Sequence, residues 1–232
     1  MNIRLVGITL CLYLGSAMML YGQARLTNGY FMYNISVDSD EPAAAMLSAM
    51  GSTVEIAFKE KKTKVVAKIA GATNTVHFVA DHAIVKGLSL LDVLGEKKAI
   101  RHGSTDYEEV ERSIQQLAAN PMRATDQTKT IAGYTCQKIL MKDKQSGANI
   151  ILYVTDRLQP QDPLVRQLNK AIKGFPLEVV VRKDNTTVRA TATKILETTP
   201  SNGAFALSIP SGYEVTTIRD LERSAEQKIQ QR

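Results

Sequence analysis

From Thr53 to Lys59, Val54, Ile56 and Phe58 alternate with Glu55, Ala57 and Lys59. A period of two marks a half-buried β-strand, because successive side chains point to opposite faces. The pattern recurs along the chain with turn residues between repeats. Tyr30 to Val37 ends at Asp38-Ser39-Asp40. Lys64 to Ala70 ends at Gly71, and Asn74 to Ala80 carries Val76, Phe78 and Ala80 on one face. Ala83 to Leu91 and Lys97 to Arg101 flank Gly95. Short strands that follow one another with only turns between them form a hairpin meander, not a βαβ series. The second half repeats the theme in Thr130 to Met141, Ala148 to Thr155, Leu177 to Arg182, Thr186 to Leu196 and Phe205 to Ile209.

Three stretches break the period. Glu41 to Met50 suits a short helix capped by Asp40. In 106–119, Tyr107, Val110, Ile114 and Leu117 form one apolar stripe, and Asn120-Pro121 ends it. In 162–173, Asp162 is the cap and Pro163 the first helical residue, with Leu164, Leu168, Ala171 and Ile172 on one face. Gly174 stops that helix. A polar, helix-prone tail covers 218–232. The expected fold is mostly β (α+β): a curved antiparallel sheet or unclosed half-barrel of about ten strands, with two or three helices on its concave face.

The N-terminus has the form of an export signal. Arg4 precedes the apolar run from Leu5 to Leu14, and Gly22-Gln23-Ala24 offers small residues before a cut after Ala24. The alternative is a retained anchor, since the run approaches the ~20 residues that span a bilayer. The expected organisation is a leader at 1–24, a β domain at 25–217 and the polar tail at 218–232. That places the protein in the periplasm or outside the cell. Cleavage would lower the net charge from +6 to +5 and leave Cys136 as the only thiol. A lone cysteine in an apolar strand reads as a small buried hydrophobe. Lys and Arg are spread along the chain, which gives no nucleic-acid footprint.

Three strings then acquire meaning together: Ile131 to Lys138, Gly174-Phe175-Pro176-Leu177-Glu178, and Ile209-Pro210-Ser211-Gly212-Tyr213. They resemble an uncharacterised family of exported proteins of Gram-negative bacteria, similar in fold to the LolA/LolB-like lipoprotein carriers. The resemblance covers about residues 28 to 217. It implies an unclosed barrel whose concave side is covered by helices, with acyl chains held between them in the carriers. No carrier residue matches position by position. The residues of the strings have structural readings: Gly133 as a bulge or bend, Tyr134 and Cys136 on one face, Gly174 and Pro176 as helix stop and strand entry. Pro210 and Gly212 make a turn over which Tyr213 packs.

Residues with recognisable chemistry are few. His77, His82 and His102 fall in a strand, a turn and a strand end, with no ligand spacing. Asp106, Glu108, Glu109 and Glu111 suit the solvated, dipole-matched start of a helix. There is no Gly-x-Ser-x-Gly elbow and no His-Glu-x-x-His. No catalytic residue, metal ligand or cofactor is expected. With aromatics at only 6% and no Trp, an apolar site would be aliphatic and would suit acyl chains. The expected function is a non-enzymatic binding protein for a lipid, a lipoprotein acyl chain or another apolar ligand. Its cavity would be lined by Val110, Ile114, Leu117, Leu164, Leu168 and Ile172. The rival is a structural or protein-interaction module of the cell envelope with a filled core. The sequence names neither the partner nor the oligomeric state.

Overall fold

A computed structural model describes residues 26–41, 48–221 and 223. The expected leader, residues 42–47 of the expected first helix and most of the expected tail lie outside these residues. Ser48 and Ala49 are helical, as are residues 218–221. No described helix is long and apolar enough to cross a membrane.

The chain is mostly β, with one curved, unclosed sheet of twelve strands. Six form the first meander: β1 (Asn28–Asp38), β2 (Ser52–Lys59), β3 (Lys62–Ile69), β4 (Asn74–Asp81), β5 (Lys86–Val93) and β6 (Glu96–His102). Helix α1 (Ser104–Ala118) follows, then β7 (Met122–Ile131), β8 (Tyr134–Lys142) and β9 (Asn149–Thr155). Helix α2 (Pro163–Ile172) leads to β10 (Phe175–Lys183) and β11 (Thr186–Leu196). A 3-10 turn (Asn202–Phe205) and β12 (Glu214–Thr216) complete the described elements. The sheet order is β12-β6-β5-β4-β3-β2-β1-β11-β10-β9-β8-β7. Two meanders are thus joined side by side along β1 and β11. Because β6 and β7 lie at opposite ends of this order, α1 must carry the chain across a face of the sheet.

Several sequence expectations need correction. The sheet is mixed, because β12 runs parallel to β6. The chain returns to that edge after a long connection instead of a hairpin, so the antiparallel constraint of a tight turn is absent. Thr130 to Met141 is two strands. Ala132 and Gly133 have φ of 47° and 87°, the doubly left-handed pair of a two-residue hairpin turn. Gly133 is therefore a turn residue, and Ile131 pairs with Tyr134 across it. Strand β7 escapes sequence reading because its burial does not alternate cleanly; much of it is exposed. Phe205 to Ile209 is not a strand. Phe205 closes the 3-10 turn and packs against Ala57 and Val79.

The expected N-terminal cap of α2 is present. Asp162 caps α2 through Val165 N–H at 3.0 Å, and Pro163 opens the helix. Lys173 takes the left-handed C-cap position, with φ 59°. A side chain at Gly174 would meet the Thr155 carbonyl oxygen at 3.0 Å, so close strand approach keeps that position bare. Pro176 enters β10, and its carbonyl accepts the Tyr33 hydroxyl at 2.9 Å. Gly212, with φ 85°, completes the turn after Pro210, and Lys97 Nζ sits 5.9 Å from the Tyr213 ring centre.

The largest core cluster includes Phe31, Tyr33, Phe58, Cys136, Leu158, Phe175 and Leu177, with Tyr134 packed against it. A second cluster lies beneath α2, around Ile139, Leu152, Val154 and Ile172. Cys136 is fully buried. Burial first, and then the Glu178 charge, push its thiol up to about 11, against the opposing pull of the Ile131 backbone bond and Lys129. Thiol reagents should label Cys136 only as fast as the fold opens. Cys136→Ala should cost about 1 kcal/mol in a denaturant melt. Rapid labelling of the native protein would contradict that burial.

Candidate functional site

The antiparallel register builds one face of the first meander row by row. Phe58, Thr63, Ala80, Gly87 and His102 are successive cross-strand partners from β2 to β6. Two residues along lies the row Ile56, Val65, Phe78, Ser89 and Ile100. A shift of two keeps side chains on the same face, so both rows face the helices. Between this face and α1 lies an open cleft of about 320 Å³, at the small end of ligand pockets. Phe78, Val110, Leu164 and Ile218 give it apolar walls. Ser89, His102, Asp106, Tyr107, Glu109 and Ser113 supply its polar border.

The polar border is ordered by a chain of contacts. The Ser89 hydroxyl lies 2.8 Å from His102 Nε2. His102 Nδ1 is 3.5 Å from Asp106 Oδ1, and Asp106 Oδ2 accepts the Gly103 N–H at 2.8 Å. The Gly103 hydrogen bond chiefly holds the Asp106 carboxyl below the usual carboxylate range; partial burial opposes it, and His102 assists. Phe78 meets the His102 ring edge-on at 5.6 Å. Gly87 lies directly across from His102, and a Cβ there would come within 3.3 Å of His102 Cβ. The missing side chain leaves His102 room beside Phe78.

A second polar cluster fastens the helices. His82 Nε2 is 2.8 Å from Asp162 Oδ2, and their side chains are 6% and 1% exposed. Thr63 Oγ1 donates to the same carboxylate oxygen. Tyr107 stacks edge-on against His82 at 5.3 Å and donates its hydroxyl to the Lys86 carbonyl at 2.9 Å. Burial first, then the Asp162, Asp81 and Asp106 charges, push the Tyr107 phenol up to about 12. Asp162 and Tyr107 thereby pin the starts of α2 and α1 to β3, the β4–β5 turn and β5.

The six residues expected to line a cavity do not stay together. Val110 and Leu164 border the cleft. Leu117, Leu168 and Ile172 belong to the packed cluster under α2. Ile114 is half-buried. No residue of α1 is fully buried, and Val110 remains 44% exposed. The helix rests over the sheet without sinking into the core. Among the described residues, no three His, Cys, Asp or Glu side chains gather as metal ligands. The sequence reading missed the joining of Ser89, His102 and Asp106. The His102–Asp106 spacing of four was visible, but Ser89 joins them only through the β5–β6 register.

No protein-family model and no curated protein matches the chain. Several solved structures are loosely similar. An uncharacterised conserved protein from Thermus thermophilus matches 80% of this chain and 90% of its own, at 9% identity and a TM-score of 0.46. The lipoprotein LppX of Mycobacterium tuberculosis matches 87% and 99%, at 12% identity and a TM-score of 0.38. PNGF-II matches 85% of this chain, at 12% identity and a TM-score of 0.44, but the chain spans only 32% of that protein. Likenesses at this level assign neither ligand nor partner.

Proposed function

We propose that this chain is an exported envelope protein that binds a single acyl chain, of a lipid or lipoprotein, in the cleft between α1 and the first meander. The observation that carries this reading is the cleft's construction: apolar walls from four separate elements beside one ordered polar border. Apolar walls exclude water from an inserted chain, and the polar border suits a head group. The volume of about 320 Å³ favours one chain over two. The expected leader at 1–24 supports delivery to the envelope.

The test is a denaturation midpoint with and without a lysophospholipid. A ligand that binds only the folded state at 100 times its dissociation constant should add about 2.7 kcal/mol. Val110→Glu should abolish that gain while leaving unliganded stability within about 0.5 kcal/mol, because Val110 is already 44% exposed. Leu168→Ala belongs to the neighbouring packed cluster and should cost about 1–2 kcal/mol without removing binding. The absence of a shift with fatty acids, lysophospholipids and acylated peptides would leave a structural or protein-interaction module in its place.

A further inference from the structure

Ser89, His102 and Asp106 form one sequence of polar contacts that engages both nitrogens of the imidazole. The hydroxyl lies 2.8 Å from Nε2, and the carboxylate lies 3.5 Å from Nδ1. A carboxylate at Nδ1 favours the tautomer with its proton there, which leaves Nε2 free to accept the hydroxyl proton. The other histidine–aspartate pair differs in this respect. His82 directs Nε2 at Asp162, and both side chains are almost wholly buried. Ser89 and His102 instead border an open cleft with Phe78, Val110 and Leu164 beside them. A hydroxyl, an imidazole, a carboxylate and apolar walls therefore meet in one place.

We propose that Ser89 is an acyl-accepting nucleophile, with His102 as its general base and Asp106 as the residue that positions His102. The substrate class is a carboxylic ester carrying one long acyl chain. This rests on the acyl-binding reading of the same cleft. Ser89 Oγ attacks the ester carbonyl carbon while its proton passes to His102 Nε2. The tetrahedral intermediate collapses, the C–O bond to the alcohol breaks, and the alcohol leaves with the proton from Nε2. Water then attacks the Ser89 ester and gives one proton to Nε2. That proton returns to Ser89 Oγ as the carboxylic acid is released. Atoms and electrons balance with no oxidant, reductant or metal.

The test treats the full chain with a long-chain alkyl fluorophosphonate and reads the adduct by intact mass and peptide mapping. Ser89 Oγ displaces fluoride from phosphorus, with His102 taking the proton. The expected result is one adduct per chain, on Ser89, and none in Ser89→Ala. His102→Ala should slow its formation at least 100-fold. Asp106→Asn should slow it at least 100-fold at saturating probe, with little change in the probe concentration giving half the maximal rate. A purely structural Asp106 would not produce that split. Circular dichroism and the urea midpoint establish that each variant is folded, and Ser89→Cys supplies a second nucleophile at the same position. The wild type is also titrated with a dansyl-labelled fatty acid. Fatty-acid binding without an adduct would overturn the nucleophile and leave the binding reading standing. Neither binding nor an adduct would overturn both. An adduct on another residue, or one formed equally fast in His102→Ala, would also overturn the nucleophile.

Discussion

Asp162→Ala should destabilise the protein by roughly 2–4 kcal/mol, because it leaves buried hydrogen-bond donors unpaired and removes a helix cap. Asp162 serves three elements at once. It caps α2 at Val165 N–H, faces His82 Nε2 at 2.8 Å and accepts the Thr63 hydroxyl. Its loss strands a histidine that is only 6% exposed and frees the first turn of α2. A urea titration measures the effect, and a loss below about 1 kcal/mol would contradict this role. The same carboxylate predicts a pH dependence. Burial alone would raise its pKa, but the hydrogen bonds from His82, Thr63 and Val165 more than offset this and hold it below the usual carboxylate range. A folded-state pKa lower than the unfolded value gives stability that is full above about pH 4 and is lost as pH falls through the folded value. Asp162→Asn should therefore flatten the acid limb of the stability curve below about pH 4.

Phe31→Ala should cost roughly 3–5 kcal/mol, as for other large aromatic truncations in a close-packed interior. Phe31 is 1% exposed and stacks between Phe58 at 5.1 Å and Phe175 at 4.4 Å. Those rings come from β2 and β10, one from each meander, so Phe31 on β1 ties the two halves of the sheet together. Phe31→Leu keeps most of the volume and should cost less than about 1.5 kcal/mol. The same urea titration checks both. Equal penalties for the two variants would mean that aromatic stacking, not filled volume, holds the seam.

Most hairpins of the first meander were legible from alternating strands such as β2 and from their turn residues, but β5 does not alternate, and Ala83 to Val85, read as strand, form the turn before it. The N-terminal cap of α2 was legible for the same local reason, whereas the left-handed C-cap falls on Lys173 and not on the expected Gly174. Pairings across long distances were not. Thr63 and Asp162 stand 99 residues apart and meet only once the sheet is assembled. Gly133 was misread because a bulge and a two-residue hairpin turn call for the same residue. The partner strand decides between them. The α1 stripe of Val110, Ile114 and Leu117 predicted burial that the topology denies. A helix that carries the chain from β6 to β7 lies over a curved face and meets it at only a few points. Polar β7 was hidden because an edge strand has few side chains to bury.

The most direct test of the acyl-binding cleft is photocrosslinking with a diazirine-bearing fatty acid, followed by peptide mass spectrometry. The predicted result is saturable labelling of Phe78, Val110 and Leu164, competed away by excess unlabelled fatty acid. Labelling that is not competed, or that falls only on residues outside the cleft, would contradict the account.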